Sequence, residues 1–140
     1  MPPGVSDWIL DSGASHHITN DLDQLHLSQP YNGADQLVVG DGAGHVISNI
    51  GKTVLYTPNH SFHLSNVLHV PKISQKLLSV SSLHDTNSIS IEFFSDCFLI
   101  KDLKTRVPIL RGQHSNGLYH MPHPPTTPLA LTTTTSFLPP

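Results

Sequence analysis

Short β-favouring runs broken by turn residues set the architecture open to this chain. Ile9-Leu10, Gln36-Leu37-Val38-Val39, Lys52-Thr53-Val54-Leu55-Tyr56, Cys97-Phe98-Leu99-Ile100 and residues 107–110 are strand-length and rich in side chains that suit a pleated surface. Ser88-Ile89-Ser90-Ile91-Glu92-Phe93 alternates, so Ile89, Ile91 and Phe93 face one side. Phe62-His63-Leu64 and Asn66-Val67-Leu68-His69-Val70 alternate weakly and stop at Pro71, as one strand or two. Pro30-Tyr31-Asn32-Gly33, Pro58-Asn59, Ser95-Asp96, residues 101–105 and a loop bracketed by Gly112 and Gly117 supply the turns. This cadence predicts an all-β domain, a small closed or partly open β-barrel with at most one short helix. Asn20-Asp21-Leu22-Asp23-Gln24-Leu25 reads as a single capped helical turn.

Composition narrows the function classes. The 140 residues suffice for one domain with a usable core. Only 12% are charged, the formal net charge is −3, and seven Lys and Arg cannot build much of a phosphate-binding stripe, so no nucleic-acid partner is expected. Cys97 is alone, which excludes an internal disulfide framework and a multi-cysteine zinc site. No apolar run approaches a membrane span, and no basic-then-apolar leader opens the chain, so a soluble intracellular protein without a membrane partner is the default expectation.

The chemistry gathers at Trp8-Ile9-Leu10-Asp11-Ser12-Gly13-Ala14, a short apolar strand entering a tight turn with one carboxylate. Ser12 offers a hydroxyl to nearby backbone, and Gly13 permits a conformation that a Cβ would resist. Asp11 would then sit on a rigid element with room for a ligand, as a general base requires; the plainer reading is a turn or capping residue. Gly40-Asp41-Gly42-Ala43-Gly44 is a glycine-dense tip between two runs, 36–39 and 45–51, and reads as a β-hairpin rather than a phosphate loop, since the spacing is wrong and no helix follows. Lys52-Thr53-Val54-Leu55-Tyr56 reads as a further strand. Adjacent His16 and His17 point apart on a strand or a helix and serve structure or hydrogen bonding. His60 and His63 have a spacing used by some zinc sites but no cysteine nearby; no metal or other cofactor is expected. Leu77, Leu78, Val80 and Leu83 read as core.

Trp8 to Ala14, followed by Ser15-His16-His17-Ile18-Thr19, resembles the active-site segment of copia-type retrotransposon proteases, retropepsin-like aspartic peptidases of the Gag-Pol polyprotein. Asn66-Val67-Leu68-His69-Val70-Pro71 and Leu77-Leu78-Ser79-Val80-Ser81-Ser82-Leu83 match the segments that close that fold, with Ser79 where retropepsins at large carry a glycine before a short helix. The resemblance runs from about Trp8 to Tyr119. It implies a retropepsin-type barrel in which Gly40, Asp41, Gly42, Ala43 and Gly44 form the tip of a flap over a peptide or polyprotein substrate.

An aspartic peptidase needs two carboxylates on one water, one ionised and one protonated, and the pair shares a proton because like charges so close cannot both ionise easily. This sequence has one Asp-Ser-Gly, so the resemblance implies a homodimer in which Asp11 of each copy completes the dyad, Ser12 braces the two turns, and Gly13 presents its N–H to the carboxylate. The competing expectation is a non-catalytic β-barrel module, structural or binding, left from a degenerate retrotransposon Pol fragment. Residues 1–7 read as a lead, 8–121 as the barrel domain and 122–140 as a charge-free Pro/Thr-rich disordered tail. The chain reads as a piece of a polyprotein, or a decayed or captured copy, acting in the cytoplasm or in virus-like particles.

Overall fold

The computed structural model describes residues 8–33, 36–38 and 44–122. In chain order the elements are β1 (Trp8–Asp11), β2 (Ile18–Thr19), a 3-10 turn (Leu22–Gln24), β3 (Leu27–Pro30), β4 (Gln36–Val38), β5 (Gly44–Val46), β6 (Asn49–Thr57), β7 (His60–His69), β8 (Lys76–Ser79), α1 (Val80–Asn87), β9 (Ile89–Phe93), β10 (Cys97–Asp102), β11 (Pro108–Ser115) and β12 (Leu118–His120). Among the described residues one ten-stranded sheet runs β3-β6-β7-β2-β8-β1-β12-β11-β10-β9, and β4 and β5 pair separately. The protein is all-β, with one short helix among the described residues, and its sheet is open, with β3 and β9 at the edges. No helix among the described residues is long and apolar enough to cross a membrane.

The core explains the curl of the sheet. Leu55 of β6 and Phe62 and Leu64 of β7 share one buried cluster with Phe98 and Ile100 of β10 and Leu110 of β11. Four strands separate these pairs in the sheet order, so the sheet must wrap round the cluster for the two ends to meet. Trp8 and Leu10 of β1, Leu78 of β8, Val80 and Leu83 of α1 and Met121 fill the middle. Burying side chains of this size contributes roughly 1.5–3 kcal/mol each. A second cluster of Ile18, Ile47, Leu68, Val70 and Ile73 surrounds β2 and the end of β7.

Several local readings change in the folded chain. The runs 62–64 and 66–70 lie largely in one strand, β7, kinked at Asn66, whose φ of 52° breaks the alternation and buries Val67 and Leu68 in succession. The strands read as 45–51 and 52–56 divide instead at Ile47-Ser48, with a register slip between Gly51 and Thr53 of β6. Phe93 stays 40% exposed at the sheet edge, edge-on to Tyr119. Gly112 does not bound a loop: it lies within β11 under the Phe98 ring, where an added Cβ would run into Phe98 Cε1 and Cζ. The loop is the two-residue turn Asn116-Gly117, with φ of 54° and 78°, between the paired Ser115 and Leu118. The expected helical turn forms at Leu22–Gln24, with Asp21 Oδ1 accepting from the Asp23 N–H at 3.0 Å. The lead 1–7 and the tail from residue 123 lie outside the described residues, as do Val39, Gly40, Asp41, Gly42 and Ala43.

Candidate active site at the β1–β2 turn

β1 is held from both sides. It pairs in parallel with β8, Trp8 to Asp11 lying opposite Lys76 to Ser79, and antiparallel with β12 through Ile9–His120 and Leu10–Tyr119. Met121 N–H donates to the Trp8 carbonyl at 3.1 Å, extending that pairing. With Trp8, Ile9 and Leu10 buried, the strand delivers Asp11 from a rigid element to the surface. Asp11 itself is half-buried, and Ser12 and Gly13 are exposed.

The turn is an Asx turn. Gly13 N–H donates to Asp11 Oδ1 at 2.8 Å, and Ala14 N–H reaches the Asp11 carbonyl at 3.3 Å. Gly13 does not have the positive φ that would demand a glycine, and an added Cβ would stand 3.4 Å from Asp11 Oδ1, an ordinary contact. Within one chain, therefore, the missing side chain at Gly13 keeps space open over the carboxylate and does not relieve backbone strain.

Beneath the turn the chain doubles back through β2, which pairs with β7 and, through Ile18–Leu77, with β8. β8 thus lies between the two arms of the β1–β2 loop, and its last residue, Ser79, comes up inside that loop. Ser79 Oγ donates to the Ala14 carbonyl at 2.8 Å, Ser79 N–H donates to His17 Nδ1 at 3.0 Å, and Ser82 Oγ donates to the Ser15 carbonyl at 3.3 Å. His17 is fully buried. Accepting at Nδ1 puts its proton on Nε2, which has no partner. Burial, and secondly the neighbouring His16, push the His17 imidazole down to about 4, so the ring is neutral across the physiological range.

The other acids are engaged elsewhere or stand apart. Asp21 caps the 3-10 turn, Asp102 Oδ1 accepts from the Lys104 and Thr105 N–H groups at 2.9 Å each, and Glu92 pairs with Lys101 at 2.7 Å. The backbone donors hold the Asp102 carboxyl below its ordinary range, and the Lys101 ammonium does the same for Glu92. Asp35 and Asp41 lie outside the described residues. Among the described residues no second carboxylate shares a hydrogen bond with Asp11.

The hairpin arms form, with β4 antiparallel to β5 and Val38 opposite Gly44, while the rest of the tip lies outside the described residues. His60 tilts against Phe62 and His63 N–H is bonded by Asn87, and no group of three His, Cys, Asp or Glu among the described residues could hold a metal ion. A cavity of about 530 Å³ runs along β3 and β6, lined by residues 26–29, 50–52 and Asn66; a smaller one of about 220 Å³ lies beside Trp8 and Thr53. Asp11 lines neither of them. Sequence reasoning gave His17 a structural or hydrogen-bonding role, which its bond from the Ser79 N–H fits, and missed what Ser79 does here. The available signal was a serine directly before the helical run Val80-Ser81-Ser82-Leu83, the position of an N-cap.

The comparisons with known proteins agree with this architecture. The family model for the Pol polyprotein, beta-barrel domain matches residues 8–88. The retrovirus-related Pol polyprotein from transposon RE1 of Arabidopsis thaliana is 44% identical over 130 residues, 93% of this chain and 9% of that protein. Its counterpart from transposon RE2 of the same plant is 44% identical over 121 residues, 86% of this chain and 8% of that protein. The chain thus spans less than a tenth of the length of these relatives. No solved structure matches it. Matched over more than half its length, from the buried Trp8 of β1 through Ser88 at the end of α1, the chain belongs to the family of Pol polyprotein beta-barrel domains.

Proposed function

We propose that this domain is one half of a copia-type aspartic endopeptidase, active when two copies bring their Asp11 carboxylates onto one water and cleave the polyprotein that carries them. The observation behind this reading is a half-buried Asp11 at the open end of a strand clamped on both sides, with exposed Ser12 and Gly13 beside it and no second carboxylate bonded to it among the described residues. One Asp-Ser-Gly per chain calls for a twofold partner, and a turn at the surface can accept one. In the dimer one Asp11, ionised, takes a proton from the water as it attacks the scissile carbonyl. The other, protonated, donates to the carbonyl oxygen. The shared proton makes the two titrations a property of the pair. Ser12 braces one turn against the other, and the Gly13 N–H steadies its carboxylate. The hairpin of β4 and β5, with its tip at Gly40, Asp41, Gly42, Ala43 and Gly44, closes over an extended peptide by adding to it edge to edge. The active unit is residues 8–121, working in the cytoplasm or in virus-like particles.

A second reading, a non-catalytic barrel module, draws on the fact that both described cavities lie away from Asp11. One experiment separates them. Sedimentation is combined with peptide cleavage at mildly acidic pH, with and without pepstatin, for the wild type and Asp11→Asn. The proposal expects a dimer whose cleavage pepstatin blocks and Asp11→Asn abolishes while the fold survives. Cleavage persisting in pure Asp11→Asn protein refutes the mechanism, and a folded monomer that cleaves nothing supports the module.

A further inference from the structure

We infer that Ser79 is the positioning residue of the Asp11 turn, holding through its hydroxyl and its N–H both arms of the loop that carries the carboxylate. The inference rests on the peptidase reading for its catalytic consequence only; the positioning itself is a statement about this chain.

β8 runs parallel to β1 and antiparallel to β2, with Asp11 opposite Ser79 and Ile18 opposite Leu77. Residues 12–17 must therefore arch over the end of β8, and Ser79 is the residue under the arch. Its side chain is fully buried and its hydrogen-bonding capacity is filled. The hydroxyl donates its one proton to the Ala14 carbonyl at 2.8 Å, and accepts from the Ser82 N–H at 3.2 Å as the N-cap of α1, with Ser81 Oγ also at 3.2 Å. Its own N–H donates to His17 Nδ1 at 3.0 Å. The arch is thus tied at Ala14 and at His17 to one residue, and that residue is in turn fixed by the first turn of a helix whose Leu83 is in the core.

The His17 carbonyl also accepts from the Leu68 N–H at 2.9 Å, which ties the far arm to β7, but the alternatives for holding the Asp11 arm are weak. Gly13 N–H and Ala14 N–H bond only back to Asp11, so they shape the turn without anchoring it to the barrel. Ser82 Oγ to the Ser15 carbonyl, at 3.3 Å, is longer and exposed. A buried hydroxyl with a 2.8 Å bond is the stronger tether, because water does not compete for the donor. Neutral His17 keeps its Nδ1 lone pair available to the Ser79 N–H, so the second tie holds at neutral pH.

The test uses the full chain with Ser79→Ala, and with Ser79→Cys, which keeps the side-chain shape and offers only a weak donor. Backbone amide order parameters are read at Gly13, Ala14 and Ser15, with Phe98 and Ile100 of β10 as internal references. In the wild type the turn amides should be as ordered as β10, at about 0.85, and in either variant they should fall below about 0.6 while β10 stays unchanged. Where the alanine variant does not fold, the cysteine variant decides. Turn amides already mobile in the wild type, or equally ordered in the variants, overturn the inference. Peptide cleavage is the second readout, with kcat falling tenfold or more at unchanged KM. Unchanged kcat in a variant overturns the positioning role, whereas a wild type that cleaves nothing sinks the peptidase reading and leaves the order parameters to decide this one.

Discussion

Acidification should destabilise this domain through one imidazole. His17 is buried with Nδ1 accepting from the Ser79 N–H, and its proton affinity is pushed down to about 4, chiefly by burial. Protonation would set two donors against each other and leave a charge in the core. The unfolded chain binds the same proton at the ordinary value near 6.5, so between the two values it takes up more protons than the native one. Stability is complete above about pH 6.5 and is lost as the pH falls toward 4, with no further loss from this group below that. Integrated from about pH 7.5 to 4, the loss is about 3 kcal/mol, with a slope near 1.2 kcal/mol per pH unit in the middle of the window. The comparison variant is His17→Asn, whose Oδ1 can accept the same N–H but does not titrate. Guanidinium unfolding followed by the fluorescence of the single buried Trp8 gives both stabilities across the window. At neutral pH the variant should be weaker by about 1–2 kcal/mol, through lost packing. Toward pH 4 the difference should shrink and reverse. Parallel curves for the two proteins would refute the reasoning, because every other titrating group is common to both.

Other expectations follow from single contacts. Gly13→Ala should leave chain stability within about 1 kcal/mol in thermal unfolding, since its Cβ meets only an ordinary contact, while abolishing peptide cleavage if a second copy must approach there. Gly112→Ala should destabilise by about 1–3 kcal/mol in denaturant titration, because the new Cβ runs into the fully buried Phe98 ring. Asn87→Ala should cost about 1–3 kcal/mol in the same assay. That amide accepts from the His63 N–H at 2.8 Å and donates to the His63 carbonyl at 3.0 Å, clamping α1 to β7.

Elements whose side chains alternate between core and solvent were legible before folding. The start of β7 is the example, because the period of two records which face is buried. β3 was not, since Leu27, Ser28, Gln29 and Pro30 are all exposed and its pairing with β6 comes from backbone groups that any sequence carries. Phe93 was legible only in part: alternation gives its side, and the position of β9 at the sheet edge leaves that side partly open. Gly112 and Gly117 look alike in sequence. One lies under a ring from the neighbouring strand and the other bends a hairpin, a distinction that depends on a contact fourteen residues away in the chain.

The amino-acid order by itself determined the strand-rich class, the capped turn at Leu22–Gln24 and the acidic turn at Asp11, because periodicity, turn chemistry and capping act over a few neighbouring residues. It took the tertiary structure to decide what supports that turn. Ser79 and His17 are sixty-two residues apart, and each has several local partners available in an unfolded chain. They meet only because β8 threads between the arms of the β1–β2 loop, a long-range pairing selected by burial of the whole core rather than by anything local to either residue.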